Sequence, residues 1–211
     1  MRHVLAPMER LSEIVFGLIM VLTFTCSFSA ATSGRAEVRE MMIGAIGCNL
    51  AWGVIDALMY LMEALGMRGR SLVGFRRLRQ GTAADGRVLL ADALPPLVAA
   101  NIREEELEAV RQRLAALPDP PERSGLQPED WKGALGVFLL VFFSTFPPII
   151  PFFLIHDPAT ALRISNAIAV FSMLYAGYKL GKYSGRSPWG TALSMAAIGA
   201  VVVAGTIALG G

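Results

Sequence analysis

The chain has 211 residues, of which 54% are hydrophobic, and its formal net charge is only +2 at pH 7. Soluble domains carry fewer apolar residues, and the small net charge argues against a nucleic-acid-binding protein. Both cysteines, Cys26 and Cys48, fall in apolar segments, so a disulfide-stabilised secreted fold is not expected.

Five apolar stretches along the chain predict five transmembrane helices. They are placed at residues 11–32, 41–66, 133–155, 161–180 and 188–209. About twenty apolar residues in an α-helix cross the roughly 30 Å hydrocarbon core of a bilayer. We therefore expect an all-α polytopic membrane protein, with transmembrane helices 1–2 in residues 1–67, a partly helical cytoplasmic insert in 68–132, and transmembrane helices 3–5 in 133–211.

The first span carries one acidic residue near its start and one methionine further along. Glu13 and Met20 are seven residues apart and therefore lie on one helical face. They offer oxygen and thioether ligands, although methionine is also a routine filler of apolar helices. Residues 1–34 also fit a secretory signal, because the small residues Ser29-Ala30-Ala31 follow the apolar run. The length of that run favours a membrane span.

The second span holds the strongest candidate for a functional charge. Asn49, Asp56 and Glu63 follow one another at intervals of seven residues and share a helical face, with Tyr60 beside it. A charged side chain at the bilayer centre costs about 2.5–3.5 kcal/mol on insertion scales, so an acid here predicts an ion pathway. Protons and divalent cations can compete for such a carboxylate. The alternative is that Asp56 only fixes packing by a hydrogen bond to a neighbouring helix.

The polar insert contains one clear helix, which we predict over Asn101–Leu117 with its first residue as the N-cap. Glutamates crowd its first turns, where the helix dipole favours them. Glu104, Glu105 and Glu108 also allow a cytoplasmic cation site, because residues three or four apart share a helical face. Both interpretations stay open on the sequence.

Prolines and small residues mark the last three spans. Pro147, Pro148 and Pro151 predict a break in the third span, which a membrane protein tolerates where protein groups satisfy the freed carbonyls. Gly177 and Gly181 in the fourth span predict close helix packing, and so do alanines that recur every four residues in the fifth. These alanines are Ala192, Ala196, Ala200, Ala204 and Ala208.

The distribution of basic residues predicts the orientation. With the N-terminus in the cytoplasm, sixteen of the nineteen lysines and arginines lie on the cytoplasmic side, and only Arg35, Arg39 and Arg163 lie outside. Cytoplasmic loops of membrane proteins carry the excess of basic residues. We therefore expect a cytoplasmic N-terminus and an external C-terminus.

No enzyme signature is present in the sequence. Its only histidines are His3 and His156, and it has no Cys/His zinc spacing, nucleophile elbow or P-loop. We expect neither enzymatic activity nor a permanently bound cofactor. The expected partners are membrane lipid, a divalent cation as possible substrate, and protons.

Several motifs resemble those of the vacuolar iron transporter family and its bacterial relatives. Glu13-Ile-Val-Phe-Gly17 is similar to the opening of that family's first span, and Pro148-Ile-Ile-Pro151-Phe to its third. Gly185-Arg-Ser-Pro188 and the small residues from Ala192 to Gly210 resemble its last span. The likeness covers all five spans and is weak through residues 68–132.

The resemblance implies a homodimeric exchanger that moves iron or manganese out of the cytoplasm against protons. Its path would run between the first and second spans of two subunits, in the bacterial inner membrane. Asp56 stands where the family has a glutamate of its second span. The resemblance also makes Glu104, Glu105 and Glu108 the remnant of a cytoplasmic metal-collecting site.

Two positions depart from the family pattern. Met20 stands where the family has an aspartate, and Trp52 falls where it has a metal-contacting methionine. The alternative function is therefore a membrane scaffold or interaction protein that has lost metal transport. A channel-like pore is a third interpretation.

Overall fold

The computed structural model describes residues 7–26 and 35–208, and all regular structure in these ranges is helical. The described helices are α1 Pro7–Cys26, α2 Arg35–Gln80, α3 Ala83–Ala93, α4 Pro96–Ala99, α5 Glu104–Ala115, α6 Pro128–Ser144, α7 Phe146–Leu154, α8 Pro158–Tyr183 and α9 Pro188–Ala208. The predicted all-α fold is therefore confirmed. His3 and the small residues Ser29-Ala30-Ala31 lie outside the described residues.

Two compact units make up the chain. One, the helical bundle, comprises the described residues up to Tyr60 and those from Pro128 to Ala208. The other, the insert unit, comprises Leu61–Gln127 and overlaps the insert predicted at residues 68–132. The 46-residue helix α2 contributes to both.

Four of the described helical segments are long and apolar enough to cross a membrane. They are Ala36–Gln80, Pro128–Leu154, Pro158–Tyr183 and Pro188–Gly205. They match the second to fifth predicted spans. The helix α1, which matches the first, is not among them, and its first turns contain Glu9, Arg10 and Glu13.

The predicted break in the third span is confirmed at Thr145, between α6 and α7. The backbone N–H of Thr145 donates to the carbonyl of Phe142, three residues back, at 3.3 Å. Pro147 and Pro148 have no N–H, so the carbonyls four residues before them lack their helical donors. The membrane segment from Pro128 to Leu154 is therefore two helices in series.

The two glycines of α8 pack against α9, as predicted. A Cβ atom added at Gly177 would lie 2.8 Å from the carbonyl oxygen of Thr191 and 2.9 Å from the Cα of Ala192. Gly181 meets Pro188 in the same way. Gly185, at φ 70°, ends α8 and lets the chain turn directly into α9.

The prediction that all five alanines of α9 form a packing face is wrong. Ala192 is fully buried and Ala196 half-buried, whereas Ala200, Ala204 and Ala208 are exposed. A residue repeated every four positions drifts about 40° per step around a helix of 3.6 residues per turn. The face that packs on α8 instead follows helical spacing through Met195 and Gly199 to Val202 and Val203.

In the insert unit, α3 packs antiparallel to α5. The prediction of an N-cap at Asn101 is wrong, because the Asn101 side chain donates to the carbonyl of Leu97 at 2.8 Å. The helix begins at Glu104, and the N–H of Arg103 donates to Glu106 Oε2 at 2.9 Å.

Arginines of α2 hold the return segment that leads out of the insert unit. Arg68 donates to the carbonyl of Gly125 at 3.2 Å, and Arg76 donates to the carbonyls of Pro121 and Glu122 at 3.0 and 2.6 Å. Arg79 forms an ion pair with Asp119. We call these contacts the arginine clasp.

Candidate functional site

Three contacts fix how α1 lies against α2. They pair Phe16 with Trp52, whose ring centroids are 5.5 Å apart, Gly17 with Asn49, and Val21 with Ala45. The two helices are therefore antiparallel in a defined register. By that register, Glu13 lies within about one turn of the level of Asp56, and Met20 within about one turn of the level of Asn49.

A polar junction lies at the centre of the bundle, formed by Gly17, Asn49, Ser144 and Thr145. The Asn49 side chain is fully buried, and its Nδ2 donates to the carbonyl of Gly17 at 3.3 Å and to Thr145 Oγ1. The Gly17 carbonyl can only accept, so this contact fixes which end of the Asn49 amide faces it. Both Nδ2 hydrogens are thus used.

The polar junction brings α1, α2 and the α6–α7 break together. A Cβ atom at Gly17 would overlap Ser144 Oγ and would lie 2.9 Å from the carbonyl oxygen of Val141, so only glycine allows this approach. Ser144 Oγ donates to that same carbonyl at 2.7 Å. Side-chain hydroxyls therefore supply hydrogen bonds at the break, as membrane helices require.

Asp56 lies on the face of α2 that contacts α6. On either side of it along the helix, Gly53 packs on Phe138, whose carbonyl would lie 3.2 Å from an added Cβ atom, and Tyr60 packs against Gly133. The Asp56 side chain is half-buried. Its Oδ2 is enclosed and has no hydrogen-bond partner in the part of the chain that the structure describes.

The predicted stripe on α2 is not uniform. Asn49 is fully buried and bonded through Nδ2, although its Oδ1 has no partner among the described residues; Asp56 is half-buried, and Glu63 is exposed. Glu63 belongs to the insert unit rather than to the bundle. Other helices therefore cover the stripe at Asn49. The unpaired oxygen, Asp56 Oδ2, lies about two turns further along α2.

The remaining predicted residues of the bundle are placed as follows. Glu13 and Met20 are half-buried on α1, and Tyr60 is half-buried on α2. Glu13 and Tyr60 each interact with neighbouring groups. A carboxyl and a phenol group thus lie near the level of Asp56, and a thioether lies near the level of Asn49.

The glutamates of the insert do not converge. Glu104 and Glu105 are exposed, whereas Glu108 binds Arg111 through Nε and Nη2, at 2.9 and 2.7 Å. Arg87 of α3 adds a contact to Glu108 at 3.4 Å. Among residues 7–26 and 35–208 there is no group of three or more His, Cys, Asp or Glu side chains that could hold a metal.

Glu108 makes the packing of α3 on α5 depend on pH. Its hydrogen bonds, chiefly from Arg111 and then from Gln112, lower the pKa of Glu108 from 4.5 to about 2. A depressed carboxyl pKa stabilises the folded form above the unfolded value, and that stabilisation is lost as the pH falls through the folded value. We expect backbone amides of α3 and α5 to lose hydrogen-exchange protection between about pH 4.5 and 2.

The matched control for this prediction is Glu108→Gln. Because the amide cannot ionise, the variant should exchange faster than wild type at about pH 6, and the difference should shrink towards about pH 2. Comparing both proteins at the same pH removes the intrinsic pH dependence of exchange. A difference that stays constant across this range would contradict the prediction.

Sequence reasoning missed the polar junction and helix α3. The junction joins Asn49 to a residue 96 positions away, which no local spacing indicates. Helix α3 has a readable signal, because Thr82 and Asp85 form a reciprocal capping box at its start.

The comparison with protein families matches the second half of the chain. A family model described as the VIT family covers residues 87–211, which is more than half of the chain. The matched region runs from within α3 to the end of the chain, so Asn49 and Asp56 precede it. No curated protein matches this chain.

Proposed function

This chain belongs to the VIT family, and we propose on that premise that it moves divalent metal ions across a membrane in exchange for protons. Iron-like or manganese-like ions are the proposed substrates, and export from the cytoplasm is the proposed direction. Asp56 is the proposed site at which proton and metal alternate.

The observation that carries this proposal is the enclosed Oδ2 of Asp56. A carboxylate that only fixed packing would be paired, because an unpaired polar atom in an apolar surrounding is costly. Among the described residues no group donates to Oδ2. An unpaired carboxylate oxygen supports a site for a proton or a cation. Asn49 Oδ1 and Ser165 Oγ also have no partner among the described residues, so it is the ionisable group that distinguishes Asp56.

The neighbouring side chains favour a metal as the second occupant. Glu13 lies within about one turn of the level of Asp56, and Met20 lies about two turns further along α1, at the level of Asn49. Carboxylates at the level of Asp56 suit divalent cations, and the thioether of Met20 offers a softer ligand at a separate level of the same helix. Binding of the metal releases the proton from the carboxyl group, which couples the two fluxes.

We further propose that α1 is also a membrane span, the first in chain order, which brings the number of spans to the predicted five. The N-terminus is then cytoplasmic and the C-terminus external, in keeping with the positions of the basic residues. A homodimer in a bacterial inner membrane follows from the resemblance of the motifs, as does a metal-collecting role for Glu104, Glu105 and Glu108.

A flux assay tests the proposed function. Purified protein in liposomes should take up Fe²⁺ or Mn²⁺ with saturation, and the rate should rise severalfold when a pH gradient is imposed. An ionophore that collapses the gradient should remove that rise. Empty liposomes give the background, and a panel including Co²⁺, Zn²⁺ and Mg²⁺ defines the selectivity. Uptake of no divalent ion under any gradient would contradict the proposal.

The insert supports a second candidate, a membrane scaffold without transport. The carboxylate of Glu108 is bound to arginine, and the described residues hold no group of three metal-binding side chains. An insert of this kind is suited to partner binding as well as to metal collection. The scaffold predicts no flux, and it predicts that changes at Asp56 alter only stability or assembly.

A further inference from the structure

An apolar groove of about 300 Å³ lies between α1 and the pair formed by α8 and α9. Ser12 is the one polar residue among those of the described chain that line it. The side chains that form its walls include Leu11, Val15 and Ile19 of α1, Ala176 and Leu180 of α8, and Met195 of α9. An empty apolar space of this size forfeits van der Waals contacts on every wall, so we expect an apolar molecule to fill it.

The groove belongs to the membrane-spanning part of the bundle. Helices α8 and α9 are both long and apolar enough to cross a bilayer. Helix α1 runs antiparallel to α8, because Thr25 Oγ1 lies 3.5 Å from Asn166 Oδ1 near the end of α1, whereas Leu11 shares the groove with Leu180 near its start. The surroundings of the groove are therefore lipid.

The length of the groove matches one leaflet of a bilayer. Along α1 it extends from Met8 to Ile19, which is about 16 Å at 1.5 Å per residue. The hydrocarbon core of a bilayer is about 30 Å thick, so half of it is about 15 Å. An acyl chain that enters from the end of the bundle at Met8 and Leu180 would therefore follow the groove to the middle of the membrane.

The end of the bundle at which the groove begins is basic. Three cations lie at the end of α8 and in the turn before α9, namely Lys179, Lys182 and Arg186. Residues 158–208 contain no aspartate or glutamate that could neutralise them. In the proposed topology this end is cytoplasmic, and the cytoplasmic leaflet is the one that carries anionic lipids and attracts such residues.

Two polar side chains lie where a lipid headgroup would be. Lys179 directly precedes Leu180 of the groove, and its Nζ lies 5.5 Å from the centroid of the Tyr175 ring. Tyr183 follows Leu180 by three residues, so it continues the same face of α8 towards the end of the helix, and it is exposed. An ammonium group and a phenol hydroxyl can both donate hydrogen bonds to a phosphate.

We propose that this groove is a binding site for one anionic phospholipid, with an acyl chain between α1, α8 and α9 and the phosphate at Lys179 and Tyr183. The proposal needs α1 in the membrane but does not depend on metal transport. A second copy of the chain is disfavoured as the occupant. In a two-fold dimer across this groove both basic ends would adjoin, and like charges repel.

Native mass spectrometry of the purified, delipidated protein tests the headgroup. The probes are phosphatidylglycerol and phosphatidylcholine with identical acyl chains, and the wild type should retain the anionic lipid more strongly. Lys179→Gln should lower the affinity for phosphatidylglycerol about 5-fold, the effect of one basic residue on attraction to anionic lipid, and should leave phosphatidylcholine unchanged. Arg163→Gln, at the opposite end of α8 and also exposed, is the matched control and should change neither affinity.

Substitutions that fill the groove test the acyl chain. Val15→Phe and Leu180→Phe enlarge its walls from two different helices, and either should reduce retention of both lipids in parallel. Ala200→Phe adds the same ring at an exposed position of α9 that does not line the groove, so it should have no effect. Helical circular dichroism verifies that each variant is folded.

Four results would overturn the lipid site. They are equal retention of the two lipids by the wild type, the same loss in Arg163→Gln as in Lys179→Gln, full retention by folded groove-filling variants, and equal loss in Ala200→Phe. A change from dimer to monomer mass in Val15→Phe without loss of lipid would assign the groove to a second copy of the chain instead.

Discussion

Replacing Asp56 by asparagine is expected to reduce divalent-metal flux to the background of empty liposomes. Asparagine keeps the shape of the side chain but cannot exchange a proton, and it offers a cation only a neutral oxygen. Loss of an outer-shell partner alone costs about 10–100-fold in metal affinity, so loss of the proposed ligand should exceed that. The assay is uptake into liposomes with and without a pH gradient.

Two substitutions accompany Asp56→Asn as controls. Asp92→Asn removes a carboxylate from the exposed face of α3 and should leave the flux unchanged. Asp56→Glu keeps the ionisable group and should retain part of the flux. Helical circular dichroism and elution as a single species verify folding. Undiminished transport by a folded Asp56→Asn protein would show that this carboxylate is not the exchange site.

Replacing Gly177 by alanine is expected to separate α8 from α9. The new methyl group would lie 2.8 Å from Met195 Cβ and 2.8 Å from the carbonyl oxygen of Thr191. Backbone atoms cannot give way without moving the helix, and overpacking of this kind typically costs about 1–3 kcal/mol. The free energy of unfolding, measured by SDS titration in mixed micelles, should fall by that amount.

Gly205→Ala is the matched control on the partner helix. A Cβ atom at Gly205 would meet nothing within 4 Å, so only the helix propensity changes. Alanine is then favoured by roughly 0.5–1 kcal/mol. Gly177→Ala should therefore lower the free energy of unfolding, and Gly205→Ala should raise it. If the Gly177→Ala protein is as stable as wild type, α8 and α9 are not in close contact.

Periodicity and proline chemistry predicted much of the fold. The break at Thr145 follows from prolines that lack an N–H, and the packing of Gly177 follows from the need for small residues where helices touch in lipid. The alanine repeat on α9 failed because a spacing of four drifts around the helix. Ala204 therefore points away from the face that begins at Ala192.

The candidate site was only partly readable from the sequence. Asp56 is recognisable alone, because a charge in an apolar span is costly wherever it lies. Which side chains are paired depends on partners far along the chain. Asn49 bonds Thr145 across 96 residues, and Arg87 reaches Glu108 across 21. Helical spacing contains no information about such partners.

The arginine clasp has a consequence for how the insert can vary. Arg68 lies near the start of the insert unit and bonds Gly125 near its end, so the two segments of chain that lead in and out are tied together. The residues between these two segments form a closed loop, and the length of that loop does not affect the contacts that close it. We expect the membrane helices to assemble when a reporter domain is inserted between α3 and α5. We expect the same when the segment from Gly81 to Pro118 is shortened. The segment between Gly81 and Pro118 can therefore vary in length and sequence during evolution while the contacts of the arginine clasp are kept.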